Sequence, residues 1–167
     1  MGLLDGWRHC PRCRTELERG EHGHLHCPGC GSDYYANSAP AVQGVLERDG
    51  RVLLAKRAIE PRLGYWDLPG GFLEEGEDPV EGLRREFREE TGLEVEPAEW
   101  LGAFLDPYNR YFVLGLTWVV HADGEPRPDD DVAELRWFAP EELPSEMAFA
   151  SQERVLRRWA DRAGGSG

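Results

Sequence analysis

The sequence lacks an apolar run of about 20 residues, the length that a membrane-spanning helix needs. Residues 1–5 have neither the basic start nor the apolar stretch of a secretory signal. With 32 acidic against 19 basic residues and a net charge of −13, the chain also lacks the basic excess that binders of duplex nucleic acid carry. We therefore expect a cytoplasmic protein that binds neither a membrane nor duplex nucleic acid.

The acidic excess is distributed unevenly along the 167 residues. Residues 1–36 hold 5 acids and 4 bases, whereas residues 71–93 hold 8 acids and 3 bases. Carboxylate density of this kind indicates a site for hard cations, and the remaining acids fit an ordinary solvated surface. The length predicts one domain with a small appendage, which we divide into residues 1–36, a main domain over 37–163 and a flexible tail over 164–167.

Cysteine is absent after residue 30, and the four cysteines present form two C-x2-C pairs separated by 13 residues: Cys10, Cys13, Cys27 and Cys30. Two such pairs complete a tetrahedral sulfur shell that suits Zn²⁺. Disulfides would need an oxidising compartment, and a redox motif would not occur twice in so short a segment. The pattern predicts a zinc ribbon with a short hairpin between the pairs, in which the metal is structural. We interpret four nearby histidines as surface groups outside the metal shell: His9, His22, His24 and His26.

The rest of the chain alternates strand-like and helical patterns, which predicts an α/β sandwich. We expect strands at 41–47, 51–57, 66–68, 100–105, 111–121 and 132–138. An Asp49-Gly50 turn should join the first two strands in a hairpin. Helices are expected at 78–91 and 152–162, with a single helical turn at 140–144.

The helix over 78–91 carries clear boundary signals. Asp78 is the expected N-cap, with Pro79 in the first turn, Glu81 closing a capping box and Gly92 ending the helix. Three apolar residues form the buried stripe, namely Val80, Leu83 and Phe87.

Three carboxylates lie beside that stripe, at Glu86, Glu89 and Glu90, within an arc of about 100°. The loop before the helix contains Gly70, whose backbone carbonyl could approach them. Carboxylates and a carbonyl are oxygen ligands that Mg²⁺ or Mn²⁺ prefers. The alternative is a solvated acidic face that Arg84, Arg85 and Arg88 balance.

The spacing of these residues resembles the Nudix hydrolase box, G-x5-E-x7-R-E-U-x-E-E-x-G-U, in which U is apolar. Every fixed position has a match: Gly71, Glu77, Arg85, Glu86, Phe87, Glu89, Glu90, Gly92 and Leu93. The resemblance covers residues 40–145 and implies a Nudix α/β/α sandwich with a mixed β-sheet, here preceded by the small zinc ribbon.

The same resemblance implies hydrolysis of a nucleoside diphosphate linked to another moiety, with Mg²⁺ or Mn²⁺ assisting the attack of water on phosphorus. By this reading Glu86, Glu89 and Glu90 bind the metal together with the Gly70 carbonyl, and Glu77 pairs with Arg85. The general base is left open between Glu86 or Glu90 and four carboxylates of a later segment: Asp129, Asp130, Asp131 and Glu134.

A four-cysteine ribbon before a Nudix domain resembles NADH pyrophosphatases and a group that acts on FAD or ADP-ribose. The Ser-Gln-Pro-Trp-Pro-Phe-Pro motif of the NADH enzymes is absent from residues 103–110, which favours ADP-ribose, FAD or a similar substrate and release of a nucleoside monophosphate. Alternatives are an NADH pyrophosphatase, an RNA decapping hydrolase and a nucleotide-sensing module without turnover. A homodimer is a further expectation. Candidate substrate-binding residues are Arg57, Trp66, Phe72 and Tyr108.

Overall fold

The computed structural model describes residues 3–164, with side chains up to residue 161. It contains two compact units. One unit comprises the residues up to Ala39 together with Pro107–Phe112, and the other comprises Pro40–Asp106 and the residues from Val113 onward. Apart from Gly164, with which the last helix ends, the expected flexible tail lies outside the described residues.

The first unit contains a small antiparallel sheet of three short strands, β1 (Glu18–Arg19), β2 (Leu25–His26) and β3 (Asp33–Tyr34), in the order β1-β2-β3. Strands β1 and β2 form the hairpin that the sequence predicts between the cysteine pairs. Strand β3 adds to β2 with His26 opposite Asp33. The sheet therefore links the segment between the two cysteine pairs to the segment that follows them.

The second unit is built on a seven-stranded mixed sheet, in which the central order is β10-β5-β4-β9-β8, with β6 paired to β5 and β7 paired to β4. The strands are β4 (Ala39–Arg48), β5 (Arg51–Arg57), β6 (Trp66–Asp67), β7 (Gly70–Phe72), β8 (Glu96–Tyr108), β9 (Tyr111–His121) and β10 (Val132–Phe138). Sequence patterns predict six of these strands, although β8 is much longer than the predicted 100–105. Strand β7 was not predicted, because its Gly-Gly pair is typical of a loop and becomes a strand only by pairing with β4.

Two helices and one short 3-10 turn complete this unit. Helix α1 spans Pro79–Thr91, the 3-10 turn Pro140–Glu142, and helix α2 Ala150–Gly164. The Asp78 side chain accepts a hydrogen bond from the Val80 amide at 2.8 Å, as an N-cap should, and Gly92 ends the helix with a left-handed φ of 69°. The expected capping box is wrong, because the Glu81 carboxylate pairs with Arg84 at 2.6 Å instead.

The two faces of the sheet support separate apolar clusters, and adjacent residues of one strand point into different clusters. Val45 belongs to the cluster under α2, whereas the next residue, Leu46, belongs to the cluster under α1. Leu83 and Phe87 of α1 fill one cluster, and Val155, Leu156 and Trp159 of α2 fill the other. This arrangement confirms the predicted sandwich of a sheet between helices.

Tight connections set the register within the sheet. The turn between β4 and β5 has left-handed φ angles of 52° at Asp49 and 71° at Gly50, as the Asp-Gly pair predicts. Glu47 then lies opposite Val52. Among the helices of the described residues, none is long and apolar enough to span a membrane.

Candidate metal and catalytic sites

The two cysteine pairs lie on backbone turns of the same geometry. The Arg14 amide donates to the Cys10 carbonyl and the Gly31 amide to the Cys27 carbonyl, each at 2.8 Å. Both donors have left-handed backbones, with φ of 64° and 71°. The Cys10 amide donates to the Thr15 carbonyl at 2.8 Å, and the Cys27 amide donates to the Ser32 carbonyl at 2.9 Å. Each turn therefore directs its two sulfur atoms by local hydrogen bonds alone.

The four cysteine sulfur atoms converge on one point, with all Sγ atoms within 4.8 Å of one another. The Sγ distance is 3.6 Å for Cys10 and Cys30 and 3.4 Å for Cys13 and Cys27, and none of the four forms a disulfide. Zn–S bonds of about 2.3 Å in a tetrahedral shell place the sulfurs about 3.8 Å apart. Both the donor set and its spacing therefore fit Zn²⁺.

The buried thiols of this cluster respond to their surroundings in opposite directions. Burial raises the pKa of Cys27 to about 11. At Cys10 burial also acts to raise the pKa, but hydrogen bonds from the Tyr34 hydroxyl and from backbone amides outweigh it and lower the pKa to about 6. The Tyr34 oxygen lies 3.1 Å from the Cys10 sulfur. This hydroxyl is thus placed to stabilise the thiolate form that a metal ligand requires.

Two of the ribbon histidines have partners other than the cysteine sulfurs. His26 Nδ1 lies 2.7 Å and His24 Nε2 lies 3.5 Å from one oxygen of Asp33. The His24 ring also stacks on Tyr35 with centroids 5.1 Å apart. These contacts agree with histidines that lie outside the metal shell.

The three glutamates of α1 differ in burial and in their partners. Glu90 is only 8% exposed, and its Oε2 accepts a hydrogen bond from the Gly70 amide at 2.8 Å. Glu86 is half-buried and lies under Gly71, where a Cβ atom would come within 2.4 Å of Glu86 Oε2. Glu89 is exposed. Because Gly70 and Gly71 lack side chains, the backbone of β7 can lie close to Glu86 and Glu90, and the Gly70 amide can donate to Glu90.

Arg85 joins the carboxylates of this region. Its guanidinium donates to both oxygens of Glu77, at 2.8 and 2.9 Å, which is the ion pair expected from the sequence. It also donates to Glu86 at 2.7 Å, to Glu89 at 3.0 Å and to the Phe72 carbonyl at 3.0 Å. Hydrogen bonds from Arg85 lower the pKa of Glu77 to about 2. Arg85 is therefore a brace between the loop before α1 and the helix itself.

The glutamates do not form a closed ligand cluster of the kind that the cysteines form. Among the residues that the structure describes, the four cysteines are the one group of three or more such residues whose ligand atoms all lie within 4.8 Å of one another. Glu86 and Glu89 are drawn to Arg85, whereas Glu90 faces the Gly70 amide. Glu86 and Glu89 thus share Arg85 as a partner, whereas Glu90 has a separate one.

Burial and neighbouring negative charges disfavour the ionised forms of Glu86 and Glu90. Burial, and also the charges of Asp67, Asp131 and Glu86, raise the pKa of Glu90 well above its usual range, although the Gly70 amide opposes this. Burial likewise raises the pKa of Glu86 against the effect of Arg85. A hard divalent cation is the group that oxygen donors in such a field fit best. The residues present therefore suit Mg²⁺ or Mn²⁺.

A buried polar chain behind Glu90 was missed in the sequence. Asp67 accepts hydrogen bonds from Arg57 at 2.8 Å and from Gln152, and burial raises its pKa. Gln152 also donates to Gln43, which donates to Thr117, both at 2.8 Å. Gln152 and Gln43 are 109 positions apart, so no local sequence pattern relates them. The sequence feature that could have indicated this chain is a polar residue within an otherwise apolar strand or helix face.

The four later carboxylates considered as a general base occupy different surroundings. Asp131 is half-buried, and its charge acts on both Glu86 and Glu90. Glu134 instead pairs with Arg136 and lies 3.9 Å from Lys56. Asp129 caps the Asp130 amide at 2.8 Å. Of the four, Asp131 is the one whose field reaches the glutamates of α1.

The four candidate substrate-binding residues differ in their burial and in their partners. Trp66 is 8% exposed and packs edge-on against Phe138 at 4.8 Å, so the stacking role expected for it is replaced by a role in the core. Phe72 is 40% exposed beside Arg85. Arg57 is held by Asp67 and by the Pro61 carbonyl. Tyr108, in the first unit, contacts Tyr111 with centroids 5.4 Å apart.

Comparison with known proteins identifies the family. Residues 37–159 match the model of the NUDIX domain. The chain is 36% identical over 131 residues to the ADP-ribose pyrophosphatase of Methanocaldococcus jannaschii, a match that covers 75% of this chain and 76% of that protein. It is 32% identical over 153 residues to the NAD-capped RNA hydrolase NudC of Pseudomonas aeruginosa, covering 89% of this chain and 54% of that protein. The chain thus spans about half the length of this second relative.

A solved structure extends the likeness to almost the whole chain. The NUDIX hydrolase from Nitrosomonas europaea superposes with a TM-score of 0.78 at 29% identity, covering 95% of this chain and 94% of that one. The chain therefore belongs to the Nudix family, and it is a Nudix hydrolase. The expected class of reaction, hydrolysis of a pyrophosphate bond, agrees with these relatives.

Proposed function

We propose that this protein hydrolyses the diphosphate bond of a nucleoside diphosphate linked to another moiety and releases a nucleoside monophosphate, with Mg²⁺ or Mn²⁺ as cofactor. ADP-ribose is the first substrate to test, because the M. jannaschii relative is named an ADP-ribose pyrophosphatase and is covered over 76% of its length. The observation that carries the proposal is the buried Glu90 beside Glu86, in a region where negative charges outnumber positive ones.

The residues of the chain have distinct parts in this proposal. Glu86, Glu89 and Glu90 hold the cation, which when bound neutralises diphosphate charge and lowers the pKa of the attacking water. Gly70 orients Glu90 through its amide. Arg85 and Glu77 hold the loop before α1 against the helix, which fixes the backbone beside the carboxylates. Arg85 therefore supports the site without contacting the reacting atoms.

We assign the general base to Asp131. This assignment is supported by the half-buried position of Asp131 and by the effect of its charge on both Glu86 and Glu90. Asp131→Asn should lower kcat about 100-fold and leave the Km almost unchanged. Asp129→Asn is the matched control, because the Asp129 side chain caps the neighbouring amide. Equal kcat values for the two variants would return the role to Glu86 or Glu90.

The test of the proposed function is release of AMP from ADP-ribose by the purified full chain. Activity with Mg²⁺ or Mn²⁺ that excess EDTA abolishes would support it. A chain that binds ADP-ribose without cleaving it under any metal condition would instead support a nucleotide-sensing module.

The choice among substrates depends on a second measurement. Because the P. aeruginosa relative is named an NAD-capped RNA hydrolase, the panel should contain NADH and NAD-capped RNA beside ADP-ribose and FAD. We expect the highest kcat/Km for ADP-ribose or FAD, since residues 103–110 lack the motif of the NADH enzymes. A higher value for NAD-capped RNA would overturn this order and favour the alternative of an RNA decapping hydrolase.

For the cysteine cluster we propose one structural Zn²⁺ held by Cys10, Cys13, Cys27 and Cys30. The converging Sγ atoms and the matching backbone turns support this assignment. Metal analysis of protein purified without added zinc should find one equivalent. Finding iron, or no metal, would contradict it.

We also propose a homodimer formed through β8. This strand lies at the end of the sheet order and exposes apolar side chains, with Trp100 at 51%, Leu105 at 52% and Leu114 of the neighbouring strand at 37%. An edge strand of 13 residues offers a symmetric partner surface to a second copy. Light scattering should give a dimer for the wild type and a monomer for Trp100→Glu. A monomeric wild type would contradict the proposal.

A further inference from the structure

The segment between β5 and β6 folds back onto the last residue of β5. The Arg57 amide donates to the Tyr65 carbonyl and the Gly64 amide to the Arg57 carbonyl, each at 2.9 Å. Arg57 Nε adds a hydrogen bond to the Pro61 carbonyl at 3.0 Å. Arg57 therefore fixes the position of the residues that the segment carries, including Arg62.

Two guanidinium groups lie over one aromatic ring at this place. Arg62 is 5.0 Å and Arg57 is 6.0 Å from the centre of the Phe149 ring. Phe149 comes directly before α2, and its carbonyl accepts a hydrogen bond from the Gln152 amide at 3.1 Å. The ring thus joins the segment after β5 to the start of α2.

The two arginines differ in their ionic partners. Arg57 pairs with Asp67 at 2.8 Å. Within residues 3–161, whose side chains are described, no carboxylate lies within ion-pair distance of Arg62. Arg62 is thus a cation without an acidic partner among the described side chains, although the chain has a net charge of −13. Its backbone has a left-handed φ of 67°, which is uncommon for a residue other than glycine and costs free energy.

A series of side-chain contacts connects Arg62 to the segment that precedes the candidate catalytic carboxylates. Arg57 contacts both the Phe149 ring and Asp67, and Asp67 comes three residues before Gly70, whose amide donates to Glu90 at 2.8 Å. One arginine and one aspartate side chain therefore separate the Phe149 ring from the region of Glu90. A diphosphate held at the glutamates would bring negative oxygens toward Arg62.

We propose that Arg62, stacked on Phe149, donates hydrogen bonds to a phosphate oxygen of the substrate and so sets its affinity. A guanidinium can stack with its face and donate with its edge at the same time, which an ammonium cannot do. Arg57, a candidate substrate-binding residue from the sequence, positions this pair in the proposal. The inference rests on the proposed function, because it assumes that a diphosphate lies beside Glu90.

The test is steady-state kinetics of the full chain with ADP-ribose and Mg²⁺. The main variant is Arg62→Asn, because asparagine tolerates the left-handed backbone and removes only the guanidinium. A lost charge-assisted hydrogen bond should raise the Km about 10- to 100-fold and change kcat less than about threefold. Arg62→Lys should fall between wild type and Arg62→Asn, because it keeps the charge and loses the stacked donor edge.

The matched control is Arg157→Gln, which removes the same charge from a side chain that is 80% exposed on α2. Its Km should stay within about twofold of wild type. A Km for Arg62→Asn equal to that of the control would overturn the inference while hydrolysis by the wild type upheld the proposed function.

If the wild type shows no turnover, a measurement of ADP-ribose binding distinguishes the proposed function from the inference about Arg62. If the wild type does not cleave ADP-ribose, calorimetry with ADP-ribose and Mg²⁺ gives the dissociation constant instead. Binding that Arg62→Asn weakens at least tenfold would uphold the inference and overturn turnover. Binding unaffected by Arg62→Asn, or no binding by the wild type, would overturn the inference.

Discussion

The cysteine site and the glutamate site of this Nudix hydrolase are built by opposite means. Each cysteine pair lies on a turn whose hydrogen bonds come from the next few residues, and the four sulfur atoms converge within 4.8 Å. The glutamates share one helix, yet Glu86 and Glu89 bind Arg85, whereas Glu90 accepts from the Gly70 amide. Spacing along the chain thus defines the first site, whereas packing against β7 and a bracing arginine defines the second.

The largest expected effect is at the most buried ligand of the glutamate site. Glu90→Gln keeps the shape and the hydrogen bond to Gly70 but removes the charge, so kcat should fall at least about 1000-fold, equivalent to about 4 kcal/mol. Steady-state AMP release measures this, and circular dichroism should show an unchanged fold.

Glu94→Gln is the control for that experiment, since Glu94 is an exposed carboxylate that pairs with Arg88 at 2.5 Å. Its kcat should match the wild type. If Glu90→Gln also kept full activity, the assignment of the glutamate site would be wrong.

A smaller decrease in kcat is expected when Arg85, which binds the glutamates, is replaced. Arg85→Gln removes the two hydrogen bonds to Glu77 and the contacts to Glu86, Glu89 and Phe72. We expect kcat to fall about 10- to 100-fold and urea unfolding to show a loss of about 1–2 kcal/mol, as for a partly buried ion pair that loses one partner. Glu77→Gln should cost a similar stability, and the double variant little more than either alone. Additive losses would show that the two residues do not act as a pair.

The close approach of β7 to α1 can be tested at one glycine. In Gly71→Ala the added Cβ would meet Glu86 Oε2 at 2.4 Å, so the carboxylate must move and kcat should fall about tenfold. The control is Gly115→Ala, whose Cβ would meet no atom closer than 3.4 Å. Equal kinetics for both variants would mean that Glu86 tolerates displacement.

The smallest effect on hydrolysis is expected from a change at the cysteine site, although we expect that change to unfold the zinc ribbon. Cys27→Ser should lose the bound zinc, measured by metal analysis, and the amide signals of residues 8–34 should collapse to unfolded positions in NMR spectra. We expect kcat to stay within about threefold of wild type, because the cysteines and the glutamates belong to different compact units. A loss of activity as large as that of Glu90→Gln would show that the two sites are not independent.

The difference between the sites also explains what could be predicted from the sequence. The C-x2-C pairs and the glutamates of α1 are local patterns, and so are the Asp78 cap and the Asp49-Gly50 turn. Strand β7 and the contact of Asp67 with Gln152 depend on residues far apart in the chain. Trp66 was assigned to the substrate because an aromatic residue beside a glycine-rich loop looks the same whether its ring is buried or exposed.

The Glu81 side chain shows how a local rule can fail against a nearby competitor. Its spacing from Asp78 predicts a capping box. Arg84 lies one turn away on the same helix, however, and forms an ion pair with the Glu81 carboxylate at 2.6 Å. An ion pair at i,i+3 was the stronger attraction at this exposed position. The N-cap itself survives, because Asp78 needs only the Val80 amide.

The most direct test of the central claim is the binding of Mn²⁺ to zinc-loaded protein, followed by electron paramagnetic resonance. Since the cysteine site is filled, added Mn²⁺ should bind to the wild type and fail to bind to a variant that carries Glu86→Gln, Glu89→Gln and Glu90→Gln together. Loss of bound Mn²⁺ with retained zinc and fold is the result that this account predicts. Undiminished Mn²⁺ binding by the triple variant would contradict it.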